Sequence, residues 1–153
     1  MRDEEYFLRV EKIRAKLYRV AYPYFNSESM AIDMADEAIY RGYLKKRQLK
    51  DEKYMETWLI RILMNLCLNR CKKNKKQLHI DELPEESAPE AYDNLPLHQA
   101  IDRLPDNYKK PIILKYFGGY TTAEISAVLE IPQGTIATRI RKALQLLRID
   151  LED

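Results

Sequence analysis

Residues 121 to 148, TTAEISAVLEIPQGTIATRIRKALQLLR, hold two short helical patterns joined by a tight turn, and the basic residues gather on the second. Thr121 and Glu124 have the T-x-x-E spacing of a capping box, in which a hydroxyl accepts from the third amide and a carboxylate reaches back to the first, so a helix starts there. Ile125, Val128 and Leu129 give that helix an apolar side. Pro132 suits the first position of a second helix, where its missing donor costs nothing, and this places the break near Glu130 and Ile131. Beyond the break, Ile136, Ile140, Ala143, Leu144, Leu147 and Leu151 recur at the three-and-four spacing of a buried stripe, while Thr135, Thr138, Arg139 and Lys142 share another flank. From Pro132 to Arg148 there are four basic residues, Arg139, Arg141, Lys142 and Arg148, and no acidic one. A helix-turn-helix that lays its second helix in a DNA groove has this layout. A solvated basic face on an ordinary amphipathic helix is the other reading of the same charges.

The rest of the chain distributes charge unevenly behind a net charge of only +2. Residues 1 to 76 carry 18 basic and 11 acidic side chains, residues 77 to 96 none and 6, and residues 97 to 153 carry 8 and 7. A basic front, an acidic joint and a back ending in a basic helix point to nucleic-acid contact at both ends. At 153 residues, 46% hydrophobic and 33% charged, the chain is neither disordered nor membrane-like in composition and has room for two small units. It contains no apolar run long enough to span a bilayer, and MRDEEYFLRVEK lacks the apolar core of a signal peptide, so a cytoplasmic protein without membrane insertion is expected. Cys67 and Cys71 lie four apart in a helical pattern, and neither His79 nor His98 completes a zinc spacing. Buried thiols are expected there, with no metal or other cofactor.

Nearly every periodic segment reads as helix, which makes the chain all-α. The first helix runs from about Asp3 to Tyr22 with Val10, Ile13, Leu17, Val20 and Ala21 inward, and is expected to stop near Pro23. Asn26 or Ser27 caps a second helix ending near Leu44, whose small stripe of Ala31, Ala35, Ala38 and Gly42 permits close helix approach. A third, from about Tyr54 to Lys73, is apolar almost all round in its middle, with Trp58 in the core, and basic at its end. Residues 77 to 96, QLHIDELPEESAPEAYDNLP, contain three prolines and no base and read as a flexible linker. Past Leu104 and Pro105, Pro111 falls about five residues into a helical pattern, where it kinks the helix unless the helix starts late.

Taken together, the two units resemble a bacterial sigma factor of the extracytoplasmic-function (ECF) group, the minimal kind with regions 2 and 4 only. Asp33, Met34, Ala35, Asp36 and Glu37 fill the D-x-x-Q-[DE] pattern of the polymerase-docking helix, with Asp36 where the family has glutamine. Trp58, Ile62, Asn65 and Asn69 match the helix that faces the minus-10 element. Ile131, Pro132, Gly134, Thr135, Ile136 and Arg139 match the [IV]-P-x-G-T-[VI]-x-x-R end of region 4. Ser126 stands where alanine is usual and Glu130 where glycine is usual; a non-glycine residue in a left-handed turn costs on the order of 1 kcal/mol.

The resemblance implies two small helical domains: a region 2 bundle over residues 1–76 and a region 4 helix-turn-helix, of the winged-helix-like DNA-binding class, over 97–153. The acidic linker over 77–96 would join them. It also implies no catalytic chemistry and no small-molecule substrate. Binding of core RNA polymerase would use Asp33, Asp36 and Glu37. Minus-35 DNA would meet Gln133, Thr135, Thr138, Arg139 and Lys142, with Arg139 on a phosphate or guanine and Gln133 on a base edge. The minus-10 element would meet Tyr54, Arg61, Asn69, Arg70, Lys72 and Lys73, since holding an unstacked base needs aromatic and amide groups and a basic track for the strand. The linker acids Asp81, Glu82, Glu85, Glu86, Glu90 and Asp93 would resemble the charge of a transcript in the polymerase exit path, or simply keep a joint soluble. An anti-sigma factor, commonly membrane-anchored in this family, is the implied regulator. A stand-alone helix-turn-helix regulator shares the back unit but predicts promoter binding without polymerase. A nucleic-acid enzyme requires a carboxylate or metal cluster that the chain does not offer.

Overall fold

The computed structural model describes residues 1–81 and 95–152, with the backbone alone for 78–81. Its helices are α1 (Asp3–Phe25), α2 (Glu28–Leu44), α3 (Met55–Asp81), α4 (Leu95–Arg103), α5 (Asp106–Ile112), α6 (Thr122–Leu129) and α7 (Gln133–Glu152). Two short 3-10 turns, Lys46–Gln48 and Glu52–Tyr54, connect α2 to α3. No strand occurs among the described residues.

Helices α1, α2 and α3 make a bundle around Tyr6, Val10, Leu17, Leu59, Ile60 and Leu63. The small stripe on α2 does what its spacing implies: Ala31, Ala35, Ala38 and Gly42 are all buried. At Gly42 the approach is closest. A methyl there would meet Leu59 Cδ2 and Tyr6 Oη, each at 2.6 Å, and Trp58 at 3.3 Å. Trp58 itself is only partly buried, packed against the core rather than within it.

Helix α1 runs three residues past its expected stop. Pro23 forfeits only its own amide bond in the last turn, and Asn26, in the left-handed region at φ 51°, closes the end with its N–H on Tyr22 O. Ser27 then caps α2 by accepting from the Met30 amide. Helix α3 extends eight residues beyond Lys73, through NKKQLHID, because nothing in that polar stretch interrupts a helix. It therefore enters the expected linker. Residues 82–94, with Glu82, Glu85, Glu86, Glu90 and Asp93, lie outside the described residues, as does the Asp81 side chain.

In the back unit, α5 starts at Asp106, so Pro111 is interior. The ladder loses the proline's bond and widens into a π turn over Ile113–Phe117, closed by Gly118 N–H on Ile113 O at 3.0 Å. Gly119 takes the positive φ of 74° that reverses the chain toward α6. Ile125 and Val128 of α6 face Ile136, Ile140, Ala143 and Leu147 of α7 in the core. Leu144 and Leu151, assigned above to the buried stripe, are exposed at 41% and 48%: Leu144 sits at the edge of the stripe between the buried Ala143 and Leu147, and Leu151 lies beyond Leu147, the last buried residue of α7.

The two units share one continuous buried cluster, with α6 against α3 and with α4 and the π turn against α1.

Candidate nucleic-acid interface

The turn between α6 and α7 is built from its caps. Thr121 Oγ accepts from the Glu124 amide at 3.1 Å, and the Thr121 amide donates to the Glu124 carboxylate at 2.9 Å. That backbone bond holds the Glu124 carboxyl below its ordinary range. Glu130 then enters the left-handed region at φ 58° and ends α6. The Ser126 hydroxyl reaches across this residue to donate to Ile131 O at 2.5 Å. Pro132 precedes α7 instead of opening it, and its carbonyl accepts from Ile136 at 3.1 Å.

Along α7, Gln133, Thr138 and Lys142 are exposed, while Thr135 and Arg139 sit half-buried on the shoulder of the same face. The midline of that face also includes Gly134, Ala137 and Arg141. Arg141 was not among the expected contacts, although its spacing of four from Ala137 and three from Thr138 marks it. Thr138 spends its hydroxyl on Gly134 O at 3.0 Å, so it offers a groove its methyl group and not a donor. A side chain at Gly134 would meet nothing within 4 Å, which leaves the start of the helix open to an approaching backbone. The free amides and dipole of a helix start favour a phosphate.

The expected minus-10 residues do not form one patch. Tyr54 is exposed at the end of the second 3-10 turn, with the Lys53 ammonium 5.0 Å above its ring. Asn69 lies fifteen residues further on, about 20 Å along α3 at the helical rise. Asn69, Arg70 and Lys73 line a groove of about 370 Å³ between α2 and α3, whose other wall holds Asp33, Glu37 and Arg41. Lys72 is exposed on a different flank. Arg61 reaches the end of α6, where its Nε donates to Val128 O at 2.7 Å.

The acidic residues of α2 divide as well. Asp33 and Glu37 face the α3 groove, and Glu37 pairs with Arg41 at 2.9 Å. Asp36 turns to a second groove, of about 700 Å³, between α1 and α2, where Arg14 holds it at 2.8 Å beside Tyr18 and Ile32. Ile32, half exposed, and Arg14 were not anticipated; the i+4 step from Glu28 to Ile32 to Asp36 was the available signal. Both thiols are pushed up by burial, Cys71 to about 11. Among the described residues no group of three or more His, Cys, Asp or Glu is placed to hold a metal, and no helix is long and apolar enough to cross a membrane.

The family model for sigma-70 region 2 matches residues 9–77, and that for sigma-70 region 4 matches residues 94–147. The ECF RNA polymerase sigma factor SigW of Bacillus subtilis (strain 168) is 30% identical over an alignment that covers 99% of this chain and 91% of SigW. The chain belongs to the ECF sigma factors. The RNA polymerase sigma factor SigV of the same organism is 29% identical, over 88% of this chain and 83% of SigV. Among solved structures, CnrH in complex with the cytosolic domain of CnrY aligns with a TM-score of 0.79 at 15% identity, covering 99% of this chain and 90% of that one. The sigma factor RpoE in complex with the anti-sigma factor NepR, from Bartonella quintana, aligns at 0.66 and 18%, over 97% and 95%. At those identities the two structures establish the shared fold of the sigma factor.

Proposed function

We propose that this sigma factor binds core RNA polymerase through α2 and directs it to promoters, with α7 on the minus-35 element and the α3 side of the front unit on the minus-10 element. The observation that carries the reading is α7: from Gln133 to Ile149 it holds no acidic residue, and its Gln133, Thr138, Arg141 and Lys142 stay exposed while the opposite stripe is buried. Phosphate neutralisation by such a face supplies affinity, and the side chains at its start supply base selection. Tyr54 with Asn69, Arg70, Lys72 and Lys73 suits a separated strand, because an exposed ring stacks on a base and the cations follow the backbone.

Asp33, Asp36 and Glu37 reach two adjacent grooves, so a partner contacting all three has to straddle the α2 ridge and offer cations to both sides. The reading keeps residues 1–76 and 97–153 as the two working units and 77–96 as the joint, with α3 running into it. It includes a protein inhibitor. What supports that part is that both solved structures of like fold hold a second protein, in one case named an anti-sigma factor and in the other the cytosolic domain of its protein. The protein would act in the cytoplasm, where the polymerase is, and as an initiation factor without chemistry of its own.

The test is in vitro transcription with bacterial core polymerase and a promoter library. Start sites that require added protein are expected. A library transcribed identically with and without it would sink the proposal.

A further inference from the structure

The geometry points to an intramolecular latch: in the free chain Arg61 of α3 clasps the end of α6, tying the helix-turn-helix to the helix that faces the minus-10 element. The latch has to open before Arg61 reaches DNA. The inference rests on the proposed function for its consequence, not for its existence.

Three acceptors meet one guanidinium. Arg61 Nε donates to Val128 O at 2.7 Å, Nη2 donates to Ala127 O at 2.5 Å, and Nη2 lies 3.3 Å from Glu130 Oε1. The last carbonyls of a helix have no partner within it and carry the negative end of its dipole, so a planar cation seated there satisfies two of them at once. Glu130 adds a full charge. It does so from a left-handed position, φ 58°, where glycine would be unstrained. A residue that is unfavourable for the turn is thus placed where its carboxylate faces a cation on the other unit.

The joint around the latch holds contributions of both signs. In favour of closure, His98 Nδ1 meets Pro23 O at 3.1 Å, and the Lys75 ammonium of α3 lies 4.0 Å from the Asp102 carboxylate of α4. The Lys16 ammonium sits 5.4 Å over the Tyr120 ring. Against closure, the hydroxyls of Tyr24 and Tyr120 are buried there with no hydrogen-bond partner. An unpaired buried hydroxyl is costly, and opening would return both to water. The charged clasp adds to the apolar contact between the units, and its loss shifts the equilibrium toward the open form.

Occupancy of the clasp and of a phosphate by the same side chain is mutually exclusive. Whatever separates α6 from α3 therefore delivers Arg61 to the strand, and strand binding in turn favours the separated form.

Cys71 reports the opening. It lies on α3 near Lys109, Asp102 and Asp106 of the back unit, half-buried, whereas Cys67 is fully buried inside the front bundle. The experiment follows alkylation of the full-length chain by N-ethylmaleimide at neutral pH, each thiol quantified by peptide mass, with circular dichroism on every variant. Glu130→Gly relieves the turn and removes the carboxylate; Arg61→Ala removes the clasp. Arg61→Ala is expected to speed Cys71 modification about tenfold, the effect of losing a charge-assisted hydrogen bond, and Glu130→Gly, which removes one exposed ion pair and leaves both carbonyl bonds, about two- to threefold, while Cys67 stays unreactive. Arg61→Lys, which keeps the charge but not the fork, is expected to fall between. Unchanged Cys71 rates in Glu130→Gly and Arg61→Ala would overturn the latch, as would equal acceleration of both thiols, which reports general loosening. Because the chain is measured alone, the outcome is independent of whether it supports transcription.

Discussion

Ser126 and Glu130 are the two positions at which the helix-turn-helix departs from the family pattern, and side-chain chemistry accounts for both. The Ser126 hydroxyl gives Ile131 O a donor across the left-handed residue, so the turn that lacks a glycine acquires an extra bond. Replacing it with alanine leaves that carbonyl short of a partner; Ser126→Ala is expected to cost about 1 kcal/mol and to lower the melting temperature by roughly 2–4 °C in a chain of this size. Thermal denaturation followed by circular dichroism decides it, and an unchanged midpoint would show that the bond contributes nothing. Gly42 is the second test at this scale. Its neighbours cannot all retreat, because Tyr6 is pinned by its own bond to Ile39 O at 2.6 Å and Leu59 is fully buried. Gly42→Ala gains about 1 kcal/mol of helix propensity but overpacks the bundle by about 1–3 kcal/mol. The expected net is a loss, read as a lower urea midpoint with an unchanged slope.

Elements carry the recognition. Arg139→Ala on the shoulder of α7 is expected to weaken minus-35-dependent initiation about tenfold or more, the size of one lost charged contact, while co-purification with core polymerase is retained. Asp33→Lys on α2 is expected to do the reverse. Equal loss of both properties in either variant would remove the role given to that residue. How far the elements could be read in advance depends on where their determinants lie. The capping box at Thr121 and Glu124, the Ser27 cap and the alanine stripe of α2 are local and periodic, and each forms as its spacing implies. The length of α3 was not legible, since a polar run after Lys73 looks the same whether it continues a helix or leaves one. The split of Asp33, Asp36 and Glu37 between two grooves was implicit in 100° per residue but needed α1 and α3 in place to define the grooves. The position of Arg61 in the closed chain was not legible for a different reason: its partners, Ala127 and Val128, are backbone carbonyls on another unit, and no side-chain pattern encodes them.

At the scale of the whole molecule, the joint is apolar enough to continue the core and polar enough to respond to solution conditions. His98 is its titratable member. It lies beside a small cavity of about 90 Å³ lined by Tyr22, Pro23, Leu97 and Phe117, and meets Pro23 O. Burial holds its pKa below the ordinary 6.5, and Lys109 acts in the same direction, while Asp102 and the bond to Pro23 pull upward. The folded chain thus takes up this proton less readily than the unfolded one. Stability from the site is therefore complete above about pH 6.5 and is lost as the pH falls through the depressed value. Glu124, with its carboxyl held low, loses its own contribution at more acidic pH, so the two effects separate along the pH axis. His98→Gln retains a side chain that can donate to Pro23 O but cannot acquire the charge. Melting temperatures of the two proteins between pH 7.5 and pH 5 are expected to diverge on the acid side, the wild type falling further. Parallel curves would mean that the imidazole is already at ease with its proton in the closed joint, and that acid does not act on the seam between the units through this residue.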